Sequence, residues 1–338
     1  MKPAVLLFSR FFLSLAFLSL AFLSLALFSA TPSLAEPVSP FLTKNQSPFS
    51  LIYGLPLASS ATLLKEDQTR WISSLNLSNT INSQTGSNDS LFIDIETWQL
   101  NLIYDYGLTD AWTLRLQLPM IAHSGGFMDA PIDAYHQALG LPEGIRPQIT
   151  HDQIEVNYSQ NNIQQLLLNT EQASIGDIFI QFAFQAAHSE QGSTSYWLGV
   201  KLPSGDADKL TGSGATDISA WVASNYRLND TRWVYAQGGV MYMSEGDVLP
   251  EIQNNWALFA NAGIKFQPWN SIELKAQLDI HSAFYDSEIE FLGDILQLTF
   301  GGAYHFNKKH RLDFAVAEDI QQEASPDVNF NISWWVNY

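Results

Sequence analysis

Asp105, Arg115, Asp177, Lys201, Arg227, Lys265, Glu273, Lys275, Asp279, Arg311 and Asp313 share one property: each occupies the polar phase of a segment that alternates apolar and polar residues. Both signs of charge are present. Such a set serves either the charged lining of an aqueous pore or the paired bridges of a filled polar interior. Arg115, Lys201, Arg227, Lys265, Glu273, Lys275, Asp279, Arg311 and Asp313 are therefore the candidate lumen and selectivity residues. Other chemistry is thin. The chain has no cysteine, which excludes disulfides, thiolate metal sites, a Cys nucleophile and a lipoprotein anchor. Its histidines, at 123, 136, 151, 188, 281, 305 and 310, show no His-x-x-x-His spacing and no Ser/His arrangement distinguishable from chance, so no catalytic residue, metal site or cofactor is assigned. Asp206-x-Asp208 and Asp286-x-Glu288-x-Glu290 offer carboxylate oxygens to Ca²⁺ but lack EF-hand spacing, and read as solvated acidic loops. With Asp+Glu at 34 against Lys+Arg at 16 and no basic stripe, nucleic acid is excluded as a partner.

The elements that carry these side chains repeat with period 2. Trp98, Leu100, Leu102, Tyr104 and Tyr106 interleave with Gln99, Asn101, Ile103 and Asp105; Ile272, Leu274, Ala276, Leu278 and Ile280 interleave with Glu273, Lys275, Gln277 and Asp279. About twelve such segments fall near 69–82, 91–107, 111–122, 174–188, 193–203, 215–228, 232–244, 254–267, 270–284, 292–306, 309–318 and 328–338. Short turns and longer loops alternate between them without exception. Sorted in this way, an even number of long antiparallel strands predicts an all-β transmembrane barrel of the outer-membrane type, with both termini in the periplasm. Trp71, Tyr104, Tyr106, Trp112, Tyr226, Trp233, Phe266, Tyr304 and Phe306 gather towards the short-turn end, where an interfacial girdle belongs.

The two ends of the chain carry addresses. Lys2 and Arg10 precede an uncharged run from Phe11 to Ala30, and Ser33-Leu34-Ala35 fits a signal-peptide cleavage site, so residues 1–35 are read as an export signal. Phe330, Ile332, Trp334, Val336 and Tyr338 share one face of the last strand, which ends on an aromatic residue and looks like the insertion signal of bacterial outer-membrane barrels. Residues 36–68 are expected to form a periplasmic arm, with Leu51–Ala58 as a short extra strand or a plug segment inside a barrel of residues 69–338. The connection 123–173 is far longer than the rest. Within it Asp129, Pro131, Ile132, Tyr135, His136 and Leu139, closed by Gly140 and Pro142, predict a short amphipathic helix, either a constriction in the barrel mouth or a helix packed on the rim.

Several stretches resemble an uncharacterised bacterial family, domain of unknown function 3187: Asn45-Gln46-Ser47-Pro48-Phe49, Tyr53-Gly54-Leu55-Pro56, Gly140-Leu141-Pro142-Glu143-Gly144-Ile145-Arg146-Pro147, Gly176-Asp177, Lys201-Leu202-Pro203-Ser204-Gly205-Asp206 and Thr211-Gly212-Ser213-Gly214. The Lys201–Asp206 stretch is also similar to barrels of a phenol-degradation pathway family thought to be channels. The resemblance implies the fold and a Gram-negative outer-membrane location, and brings no functional residues. The expected function is a passive channel or uptake protein for small molecules, not an enzyme. A closed barrel with a structural or surface-binding role is the alternative, and a membrane-embedded lipid-modifying enzyme the third reading. Expected partners are outer-membrane lipid and lipopolysaccharide, the barrel-assembly machinery and a small-molecule solute. Contact of the acidic loop end with lipopolysaccharide phosphates would need bridging divalent cations.

Overall fold

The chain was analysed as a computed structural model that describes residues 38–140, 145–320 and 325–338. The expected signal peptide lies outside the described residues. Every alternating segment forms a strand: β1 (Thr69–Thr85), β2 (Asp89–Gly107), β3 (Trp112–Ser124), β4 (Glu155–Gln160), β5 (Ile163–Leu168), β6 (Gln172–Ile175), β7 (Ile178–His188), β8 (Gly192–Leu202), β9 (Asp217–Arg227), β10 (Arg232–Met243), β11 (Trp256–Trp269), β12 (Ile272–His281), β13 (Ile295–His305), β14 (His310–Asp319) and β15 (Val328–Asn337). β1, β2, β3 and β7 to β15 form a closed antiparallel barrel of twelve strands. Closure runs from Arg70↔Asn337 to Asn79↔Val328, where β1 meets the terminal strand.

Period 2 decides which side each residue faces, because a one-residue slip would invert the whole wall. Leu198, Ile218, Val222, Leu258, Ile264, Ile280 and Ile332 lie exposed on the outer wall, while Asn76, Asn101, Gln117, Ser195, Ser219, Gln277 and Asn331 are buried inside it. Trp71, Trp112, Tyr226, Tyr304 and Phe306 are exposed on the outer wall near the short turns, as the girdle requires. Trp233 is a correction. It pairs with Arg227 and Lys265 in the inward phase of β10 and is buried under both cations, so it faces the lumen.

The long connection extends the wall. The hairpin of β4 and β5 joins the upper part of β2 through Asp89↔Gln160 to Asp94↔Glu155, and β6 pairs with the upper end of β3. Before them lies the helix Asp129–Leu139, in which Asp129 and Ile132 are buried. Asp129 Oδ1 accepts from Asn79 Nδ2 at 3.0 Å, which fastens the helix to the upper end of β1.

Residues 38–61 are buried inside the barrel. They form no strand; one helical turn, Pro48–Leu51, marks the top of their path. Leu51–Ala58, expected as a strand or a plug segment, lies within this buried stretch.

Candidate functional site: the occupied lumen

The amino-terminal segment climbs one wall of the lumen and descends another. On the way up, Phe41 N–H donates to Gln277 Oε1 at 3.1 Å, Thr43 Oγ1 lies 3.4 Å from Asp279 Oδ2, and Asn45 Nδ2 lies 3.2 Å from His281 Nε2. Alternate residues of the segment thus match the inward positions of β12. At the top the rings of Phe49 and Tyr53 pack edge-on against Tyr285, and the Tyr53 hydroxyl donates to that of Tyr285 at 3.1 Å. On the way down Gly54 N–H donates to Asp217 Oδ2 at 2.8 Å, Ser59 N–H to Gln237 Oε1 at 2.9 Å, and Leu63 N–H to Gln185 Oε1 at 2.8 Å. Buried backbone groups need partners, and lumen side chains supply them here in place of a strand ladder. The backbone ladders of the wall close without the plug.

Glycine is required at position 54. A Cβ there would lie 2.8 Å from the Cβ of Asp217, so any side chain pushes the plug off this wall. Above it, Phe49, Ile52, Tyr53 and Leu55 join Leu91, Val156, Tyr158, Val248, Phe284, Tyr285 and Phe291 in one buried apolar cluster. The plug tip and the long loops seal each other by removing this surface from water.

The charged residues sort by height. Near the short-turn end each buried lumen carboxylate among the described residues is shared. Asp105 holds Arg70 at 2.6 Å and Arg115 at 2.7 Å; Asp313 holds Arg311 at 2.7 Å and Lys275 at 3.0 Å; Glu273 lies 3.2 Å from both Lys265 and His305. Lys265 and Lys275 stand directly opposite one another, a repulsive pairing that Glu273 and Asp313 offset from either side. Lys275 Nζ also donates to the Ser39 carbonyl at 3.0 Å, which ties the plug to this network.

Carboxylates dominate higher up. Lys201 lies between Asp177 at 2.7 Å and Asp217 at 3.1 Å, and donates to the Ile52 carbonyl of the plug at 2.8 Å. Asp279 takes hydrogen bonds from Gln277, Thr43 and Thr299 and has no ion pair among the described residues. Arg146 gathers Asp129, Asp133 and Asp327 from the long connection and the segment before β15. Lys44, on the plug, is buried with its ammonium 5.6 Å from the Phe179 ring centroid, and burial, then the charge of Lys201, hold its pKa down to about 8.

Eight of the nine candidate lumen residues thus line the interior. Arg227 sits at a short turn, over Trp233 and bonded to Asp230 at 2.9 Å. Sequence reasoning missed Arg70, Arg146 and Lys44. Arg70 faces Asp105 in register, so the pairing of β1 with β2 would have disclosed it; Lys44 and Arg146 lie outside any alternating segment and carry no such signal. A contact resembling catalytic chemistry joins His188 Nδ1 to Ser193 Oγ at 2.8 Å, but Ser193 is engaged by Thr62 of the plug at 3.0 Å. Among the described residues no group of three His, Asp or Glu side chains has metal-binding geometry.

The family described as "Protein of unknown function (DUF3187)" matches residues 15–337. No curated relative matches the chain. Among solved structures, the COG4313 outer membrane channel from Pseudomonas putida F1 is 14% identical with a TM-score of 0.56, covering 82% of this chain and 98% of that one. The NanC porin is 8% identical with a TM-score of 0.45, covering 79% of this chain and 98% of that one. The Pseudomonas putida toluene transporter TodX is 10% identical with a TM-score of 0.42, covering 83% of this chain and 94% of that one. The first likeness shows a shared barrel fold.

Proposed function

The chain belongs to the DUF3187 family, and from that premise we propose that it is a passive outer-membrane channel for small molecules, with its amino-terminal segment as a removable plug. One observation carries the reading. Residues 38–63 cross a polar lumen twice, held by individual side-chain hydrogen bonds, while the strand ladders close without them. A barrel built only for support would fill its interior from its own walls, as barrels of about eight strands do; twelve strands enclose more space than that. Here the excess space is occupied by a segment whose two ends both return to the periplasmic side. The fold shared with a named outer-membrane channel supports the same reading.

Location follows from the wall. Its exposed apolar side chains and terminal aromatic belt suit a bilayer, and the terminal strand presents Ile332, Trp334 and Tyr338 on that side, where the assembly machinery and lipid would meet them. Within the lumen Arg115, Lys201, Lys265, Glu273, Lys275, Asp279, Arg311 and Asp313 serve first as bridges that shape the interior. Once the plug leaves, the same side chains face the solute and set the field. The test is single-channel recording of the refolded mature protein in planar bilayers, after a heat-modifiable gel shift confirms the folded barrel. Discrete steps with long closed intervals are expected; a folded barrel that never conducts contradicts the proposal.

A further inference from the structure

At the periplasmic mouth, between the base of the plug and the junction of β13, β14 and β15, lies a cavity of about 190 Å³. That is room for roughly six waters at the ~30 Å³ each occupies in the liquid. Arg70, Arg311, Lys308, Lys309, His310 and Trp335 line it, with no carboxylate among the lining residues. This concentration of positive charge sits in a chain of net charge −18. We propose that this cavity is a binding site for a small soluble oxyanion, a phosphate or a compact carboxylate.

Three features favour that occupant. First, the carboxylates behind the site are fully committed: Asp105 is divided between Arg70 and Arg115, and Asp313 between Arg311 and Lys275. Arg70 and Arg311 each bond their carboxylate through Nε and Nη2, and no acceptor among the described residues takes their Nη1 groups. A guanidinium engaged on one edge can still donate from the other. Second, both guanidiniums are held in place over the ring of Trp335, at 5.4 and 4.1 Å from its centroid, so little ordering is needed on binding. Third, the inward-facing Trp335 indole N–H is buried without a hydrogen-bond partner. An orphaned buried donor is costly, and an anionic acceptor would satisfy it.

The occupant is soluble rather than a lipid headgroup because Arg70, Arg311 and Trp335 are in the inward phase of their strands and are no more than 9% exposed. Ser39 and Ser60 of the plug complete the wall of the cavity, so a bound anion touches barrel and plug together. The site is independent of conduction, since binding is read on the closed protein.

The experiment is calorimetric titration of inorganic phosphate into the mature protein in non-ionic detergent at low salt. One saturable event per chain is expected. Lys308→Gln with Lys309→Gln, and separately Trp335→Phe, should each weaken it by about tenfold while the barrel keeps its gel shift. Lys209→Gln, on an extracellular loop, should leave it unchanged. Phosphatidylglycerol added to the micelles should not displace the phosphate. Absence of saturable binding, undiminished binding by both the double-lysine variant and Trp335→Phe, or displacement by the lipid would each overturn the assignment.

Discussion

In the lower half of the lumen, towards the short turns, five basic side chains, Arg70, Arg115, Lys265, Lys275 and Arg311, meet three carboxylates, Asp105, Glu273 and Asp313. In the upper half, towards the long loops, Lys44, Lys201 and Arg146 face Asp94, Glu96, Asp129, Asp133, Asp177, Asp217, Asp279 and Asp327. The lower half is a dense bridge network within the wall; its ion pairs meet the plug at the Ser39 carbonyl, and the plug's other lower hydrogen bonds go to neutral side chains such as Gln185 and Ser193. The upper half commits its side chains to the plug itself, through Asp217, Lys201, Tyr285 and an apolar seal. Removal of the plug therefore disturbs the charged groups of the upper half more than those of the lower. The ion pairs of the lower half hold the barrel's shape, whereas those of the upper half also hold the plug.

The largest effect should come from breaking the lower network. Asp105→Asn leaves Arg70 and Arg115 buried with no carboxylate between them, and should cost about 3–5 kcal/mol of stability. Urea unfolding followed by gel shift measures it, and a loss under 1 kcal/mol would mean that water already screens this half. Next is Gly54→Val, which sets a branched side chain against Asp217. It should raise open probability by roughly tenfold or more, the effect of about 1.4 kcal/mol taken from the closed state, with barrel stability nearly unchanged. Limited proteolysis from the periplasmic side should cut residues 38–62 faster in that variant. If Gly54→Val destabilises the barrel and leaves gating alone, the division between the halves fails.

A comparable effect concerns pH. Lys44 has a pKa of about 8 in the closed lumen and an ordinary value near 10.4 once exposed to water. Below pH 8 it is charged in both states, and the closed state bears the full cost of burying that charge. Between pH 8 and about 10 the buried amine loses its proton while the exposed one keeps it, so the closed state gains. Openings should become rarer by about twentyfold between pH 7.5 and 9.5. Lys44→Met should remove this dependence and keep openings rare at every pH. Smaller than either, Arg146→Gln frees the carboxylates of Asp129, Asp133 and Asp327 that it gathers. The helix Asp129–Leu139 should then exchange its amide hydrogens about tenfold faster, with barrel stability unchanged.

Much of the wall was legible because period 2 admits one inside and one outside. The positions of Arg115, Lys265, Glu273 and Asp313 followed from parity alone, and the helix at Asp129 followed from its cap and spacing. Trp233 was misplaced because an aromatic near a turn was read as girdle, when its strand phase and the cations over its ring put it inside. The plug was barely legible. Its residues touch walls more than a hundred positions away, as Phe41 does Gln277 and Gly54 does Asp217, and it has no period of its own. The basic pocket was invisible for a related reason: Arg70, Lys308 and Trp335 converge only when the last strand closes on the first.

The account rests on a plug that occupies the conduction path, and a reversible tether tests it most directly. Thr43 Oγ1 of the plug lies 3.2 Å from Thr299 Oγ1 of the wall, and the chain contains no cysteine to compete. With Thr43→Cys and Thr299→Cys, single-channel recording under oxidising conditions should show a silent barrel, and reductant should restore conductance steps matching those of the native chain. Identical steps in the oxidised and reduced forms would contradict the account, because a tethered plug would then leave the path open.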